Sequence, residues 1–125
     1  SLMKAGRNEA QQPARLHRPW GSIETLHLAP RSQVKIIEVK PGAALSLQYH
    51  HKRAEHWVVV DGEAWITRGD EAFALKENES TFIPIGMPHR LETQTDAPLT
   101  ILEAKVGSYL GEDDIVRLED RYRRG

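Results

Sequence analysis

Cysteine is absent from these 125 residues, which excludes disulfide staples, thiol nucleophiles and thiolate metal sites. Long hydrophobic runs are absent too. The longest apolar stretches are a few residues, far short of the roughly 20 needed to span a bilayer, so no membrane segment is expected. No charge of one sign dominates: 17 Lys and Arg stand against 18 Asp and Glu, a formal net charge of -1. That balance removes any overall field toward nucleic acid or an anionic membrane. No secretory pattern opens the chain, and a cytoplasmic address is the expectation. What remains is 39% hydrophobic and 28% charged, the composition of one soluble globular domain able to bury a core without staples.

Residues 1–18 are polar, carry Lys4, Arg7, Arg15 and Arg18, and show no hydrophobic period. They read as a flexible arm, with Ser1-Leu2 ahead of Met3 as an expression scar. The ordered body is expected over 19–125, opening at Pro19-Trp20-Gly21. From there β-rich runs recur at 33–39, 45–49, 56–60, 64–68, 73–75, 80–83, 89–94 and 99–105. Turn signals such as Pro41-Gly42, Asp61-Gly62 and Gly69-Asp70 separate them. Many short strands with regular turns predict an all-β sandwich or barrel. Only 112–124, with acids first and arginines last, suits a short C-terminal helix.

The chemistry concentrates between Gly42 and His89. Gln48 and His50 are two apart, so on a strand they share a face. Glu55 opens the next apolar run, and His89 follows the turn Pro84-Ile85-Gly86-Met87-Pro88. Two imidazoles, a carboxylate and an amide oxygen from neighbouring strands form a candidate set for one divalent metal. Parity turns Glu55, Trp57 and Val59 inward with them. His56, Val58 and Val60 then face the other way, toward a second buried surface or a subunit interface.

The spacing Gly42-x5-Gln48-x-His50-x4-Glu55-x6-Gly62, followed by Pro84-x-Gly86-x2-His89, resembles the two cupin motifs. Gln48 stands where the first histidine is usual, and Thr93 where an asparagine is usual. Further segments narrow the resemblance: Arg18-Pro19-Trp20-Gly21, Gln33-Val34-Lys35, Arg53-Ala54-Glu55-His56-Trp57, Glu77-Asn78-Glu79-Ser80 and Gly107-Ser108-Tyr109-Leu110-Gly111-Glu112-Asp113-Asp114. Together they resemble the C-terminal domain of bacterial type II phosphomannose isomerases, which usually follows a mannose-1-phosphate guanylyltransferase domain. The resemblance covers residue 18 to the C-terminus. It implies a cupin double-stranded β-helix, a jelly-roll-like barrel, and a metal-dependent interconversion of mannose 6-phosphate and fructose 6-phosphate.

Gln48, His50, Glu55 and His89 are then the expected metal ligands. Zinc is the first choice, and manganese, cobalt or nickel also accept such donors. Arg53, beside the metal turn, is the candidate for gripping a phosphate or stabilising an oxyanion. Lys35 is a second candidate for phosphate. Glu103, His51 and a metal-bound hydroxide all stay open as the base. The expected partners are a phosphorylated hexose and a second copy of the chain. Competing readings are a non-catalytic sugar-phosphate or sugar-nucleotide binding cupin, or another metal-dependent cupin enzyme such as an oxygenase.

Overall fold

The computed structural model describes residues 15–119. Eleven strands run in the order β1 Arg15–Arg18, β2 Gly21–Leu28, β3 Ser32–Val39, β4 Leu47–Tyr49, β5 Arg53–Asp61, β6 Ala64–Arg68, β7 Glu71–Leu75, β8 Ser80–Ile83, β9 His89–Glu92, β10 Leu99–Gly107 and β11 Val116–Glu119. They form two antiparallel sheets, ordered β1-β2-β3-β10-β5-β8 and β11-β4-β9-β6-β7. Among the described residues no helix is long and apolar enough to cross a membrane.

Alternation explains the long strands. In β5, Arg53, Glu55, Trp57 and Val59 are buried, while Ala54, His56, Val58 and Val60 are half-buried or exposed. In β10, Leu99, Ile101, Glu103 and Lys105 point inward by the same period. The two strands pair with β10 central, so Glu103 lies between Lys35 of β3 and Trp57 of β5, and Lys105 lies beside Glu55. The inner face of this sheet therefore changes character along its length. One end is apolar: Val39, Val59, Leu99 and Ile101 join Ile66 and Leu91 of the other sheet in the core. The other end carries charge.

Three places depart from the sequence expectations. The last four residues of the expected arm form β1, held to β2 and β3 by Arg15, whose guanidinium reaches Glu24 at 2.9 Å and Glu38 at 2.7 Å. Cross-strand ion pairs rather than apolar alternation join this edge, so it left no hydrophobic period. Residues 1–14 lie outside the described residues. β2 has no counterpart among the expected strands, because a register shift between Thr25 and His27 breaks its parity. The expected helix over 112–124 is, as far as it is described, a turn and strand β11. Val116 pairs with Tyr49 and Arg117 with Gln48, covering an edge of β4 that would otherwise be open. The acids at its start serve the turn and the site instead. Residues 120–124 lie outside the described residues.

The outward set on β5 is not covered within the described chain. Val60 is exposed, and His56 packs on exposed Phe82 with ring centroids 4.8 Å apart.

Candidate metal centre

His50 ends the short segment after β4, Glu55 lies on β5, and His89 opens β9. The turn between β8 and β9 brings the last two segments together. Gly86 holds a left-handed φ of 82° there, a conformation open to glycine at no steric cost. Its N–H donates to the His50 carbonyl at 2.8 Å. That bond ties the turn presenting His89 to the strand end presenting His50. One ligand atom from each of His50, Glu55 and His89 lies within 4.8 Å of the others, and all three residues are buried.

The tautomers follow from the hydrogen bonds. His50 Nδ1 lies 2.6 Å from the Asp114 carbonyl, and His89 Nδ1 lies 3.0 Å from the Met87 carbonyl. A carbonyl only accepts, so in each ring Nδ1 carries the proton. His50 Nε2 also receives Arg53 Nη2 at 3.1 Å, and a guanidinium only donates. The Nδ1 bonds therefore leave each Nε2 toward the Glu55 carboxylate, at 3.2 Å for His50 and 3.7 Å for His89. Arg53 already supplies one positive charge at the rim of this group, and in the neutral form each Nε2 offers a lone pair on the side of the carboxylate. Carbonyl-fixed imidazoles converging on a carboxylate are the donor set of a divalent metal, so the residues present fit such an ion.

Burial alone would raise the Glu55 carboxyl. The contact with His50, then the positive charges nearby, Arg53 and Lys105 among them, outweigh it and hold the group well below the usual range. Burial lowers His89, which favours the neutral imidazole that a ligand must be. Gln48 sits directly across from His89 in the β4–β9 register, and its amide nitrogen donates to Ser46 Oγ at 3.0 Å. That leaves the amide oxygen as a possible fourth donor.

Beside these ligands lies a cavity of about 210 Å³, lined by Gln48, Glu55 and His89 together with Lys35, Trp57, Glu103, Lys105 and Glu112. Burial, then the neighbouring Glu55 carboxylate, pushes the Glu103 carboxyl up to about 7. The Trp57 indole N–H is shared between Glu55 Oε1 and Glu103 Oε2, both at 3.1 Å.

A model of the family "Mannose-6-phosphate isomerase C-terminal" matches residues 5–120. The chain belongs to that family. It is 55% identical over 123 residues to the xanthan biosynthesis protein XanB of Xanthomonas campestris pv. campestris, covering 98% of this chain and 26% of that protein. It is 56% identical over 119 residues to the alginate biosynthesis protein AlgA of Pseudomonas aeruginosa, covering 95% of this chain and 25% of that protein. The chain thus spans about a quarter of the length of the curated relatives it matches. Among solved structures, the capsular polysaccharide assembling protein CapF of Staphylococcus aureus superposes with a TM-score of 0.76 at 23% identity, over 88% of this chain and 35% of that one. The cupin domain of Cnp3 from Schizosaccharomyces pombe gives 0.68 at 12% identity, over 72% of this chain and 66% of that one. The two-sheet barrel is a cupin.

His50, Glu55 and His89, expected as ligands, are together in this cupin. Arg53 is buried behind them, its Nε 3.0 Å from Glu55 Oε2, and Lys35 lines the cavity. His51 is exposed and stands edge-on to Tyr49. Sequence reasoning missed Lys105, Glu112 and Asp114. Lys105 was findable, since it continues the inward parity of Leu99, Ile101 and Glu103. The Asp114 side chain accepts from the His51 and Lys52 N–H groups at 3.0 and 2.9 Å, a turn-capping role with no sequence period.

Proposed function

We propose that the chain is a metal-dependent aldose–ketose isomerase domain acting on mannose 6-phosphate and fructose 6-phosphate in sugar supply for polysaccharide biosynthesis. One observation carries this reading: carbonyl-oriented His50 and His89 face Glu55 beside a cavity whose wall also holds Lys35 and Lys105. A metal set and an anion set in one cavity suit a phosphorylated sugar with a carbonyl to polarise. The family and the relatives named for xanthan and alginate biosynthesis support the substrate class.

His50, Glu55, His89 and Gln48 would hold the ion, zinc by first choice. A divalent cation, when bound, supplies Lewis-acid polarisation of the carbonyl and stabilises charge developing on oxygen. The reaction carries a hydrogen from C2 to C1 and a proton from the C2 hydroxyl to the C1 oxygen. Glu103 is the assigned proton carrier, because it lines the cavity, whereas exposed His51 is absent from its wall. Trp57 orients Glu103 through its shared N–H. Arg53 contributes positive charge from behind Glu55, and Lys35 grips the phosphate.

The outward apolar residues Val58, Val60 and Phe82 support a homodimer through this sheet; light scattering giving a mass near 14.2 kDa would overturn it. A phosphorylated substrate supports a cytoplasmic address. A coupled assay of the zinc-reconstituted chain with mannose 6-phosphate tests the isomerase reading. Sugar-phosphate binding without turnover would leave a binding module instead.

A further inference from the structure

A single oxygen in the cavity wall gathers three cations. Glu112 Oε2 lies 3.1 Å from Lys105 Nζ, 3.3 Å from Lys35 Nζ and 3.8 Å from Arg53 Nη1. The partners differ sharply in burial. The cationic side chains are 5%, 13% and 3% exposed, while the Glu112 side chain is 66% exposed. The cations are therefore fixed in the barrel wall, and the carboxylate reaches in from solvent.

Arg53 adds an independent observation. Its Nη1 is buried and has no hydrogen-bond partner among the described residues, although its Nε and Nη2 are used by Glu55 and His50. A buried guanidinium donor without an acceptor is costly, and this one faces the oxygen that Glu112 supplies at only 3.8 Å. The carboxylate fills the anion position imperfectly.

The backbone of the turn carrying Glu112 is held without the Glu112 side chain. It is anchored on one side by buried Leu110 and on the other by Asp114, whose carboxylate caps the backbone at His51 and Lys52. Glu112 and Asp113 between these anchors are exposed. Rotation of the Glu112 side chain moves neither anchor.

We propose that Lys35, Lys105 and Arg53 form a phosphate subsite that Glu112 holds as a built-in carboxylate, which the phosphate of the substrate must displace. The proposal rests on the reading of this cavity as a sugar-phosphate site. A phosphate dianion brings more charge than a carboxylate and three acceptor oxygens, enough to reach Lys105, Lys35 and the idle Arg53 Nη1 together. Weaker monoanions gain nothing over the resident carboxylate. Glu112 therefore sets selectivity for phosphate monoesters at the expense of affinity, while keeping the buried lysines neutralised between turnovers.

The test is calorimetric titration of the metal-loaded chain with inorganic phosphate at pH 7.5, comparing wild type, Glu112→Gln, Glu112→Asp and Glu112→Gln/Lys105→Gln. Removing a competing charge within about 4 Å of the anion should tighten phosphate binding by roughly tenfold or more in Glu112→Gln. Glu112→Asp, one methylene shorter, should give a smaller gain in the same direction and serves if Glu112→Gln folds poorly. The added Lys105→Gln should cancel the gain. Unchanged or weaker phosphate binding in both Glu112 variants would overturn the proposal. Mannose 6-phosphate turnover is measured separately. Tighter phosphate binding without turnover keeps the subsite and removes the isomerase reading, whereas turnover with unchanged phosphate binding does the reverse.

Discussion

His50 Nδ1 donates to the backbone carbonyl of Asp114 at 2.6 Å, across 64 positions of sequence. This bond turns Nε2 toward Glu55, and the side chain of Asp114 fixes the turn by capping His51 and Lys52. The tautomer of one expected ligand is thus set by a residue far away in the chain.

Asp114→Ala should therefore weaken metal binding although Asp114 is not itself a ligand. Loss of an outer partner of this kind costs on the order of 10–100-fold in metal affinity. Competition with a chelating indicator would measure it. Affinity equal to wild type would mean that the turn holds its place without the cap.

Elemental analysis of the purified chain should find about one divalent ion per chain, lost in His50→Ala and in His89→Ala. Glu55→Gln should lose the ion and also stability, because the carboxylate is the partner of buried Arg53 at 3.0 Å. Breaking a buried pair on one side costs about 3–5 kcal/mol, which chemical denaturation of the metal-free protein would measure. Full occupancy in both His50→Ala and His89→Ala would move the site elsewhere.

The clustering of His50, Glu55 and His89 was legible because strand parity and a glycine-proline turn are local signals. A two-residue period put Gln48 and His50 on one face, Glu55 opened an apolar run and His89 followed a turn. All eight expected strands are observed, 64–68 and 80–83 with the same bounds and the other six within a few residues at their ends. The anion cluster was not legible in that way. Lys35, Lys105 and Glu112 come from three separate segments, and only the β3–β10 register and the turn after β10 bring them together. The C-terminal segment misled because an acid-to-base gradient suits a helix dipole, while the open edge of β4 and the Asp114 cap made extended pairing the better outcome. Local propensity lost to a tertiary contact.

Glu103 makes stability depend on pH. Burial, then Glu55, raises its carboxyl from 4.5 to about 7, so between those values the folded chain holds a proton that the unfolded chain has released. Stability contributed by this group is full below 4.5 and falls as pH rises toward 7. Thermal melts of the metal-free protein across this range should show a steeper loss for wild type than for Glu103→Gln. His89 acts in the opposite sense in both proteins and cancels in the comparison. Parallel profiles would mean that Glu103 ionises at its ordinary value.

Arg53 separates two kinds of electrostatic work. Its guanidinium spans Glu55 and His50 and points Nη1 at the anion cluster. If its charge matters most as negative charge develops on the substrate oxygen, Arg53→Ala should lower kcat by about a hundredfold while KM changes little. If it mainly grips phosphate, KM should rise with kcat nearly intact. Arg53→Lys should restore little in either case. One ammonium cannot serve Glu55, His50 and the anion position together, as the three nitrogens of the guanidinium do. Steady-state kinetics of the three proteins at equal metal content decide between the two roles. Wild-type kinetics in Arg53→Ala would reduce this residue to a structural partner of Glu55.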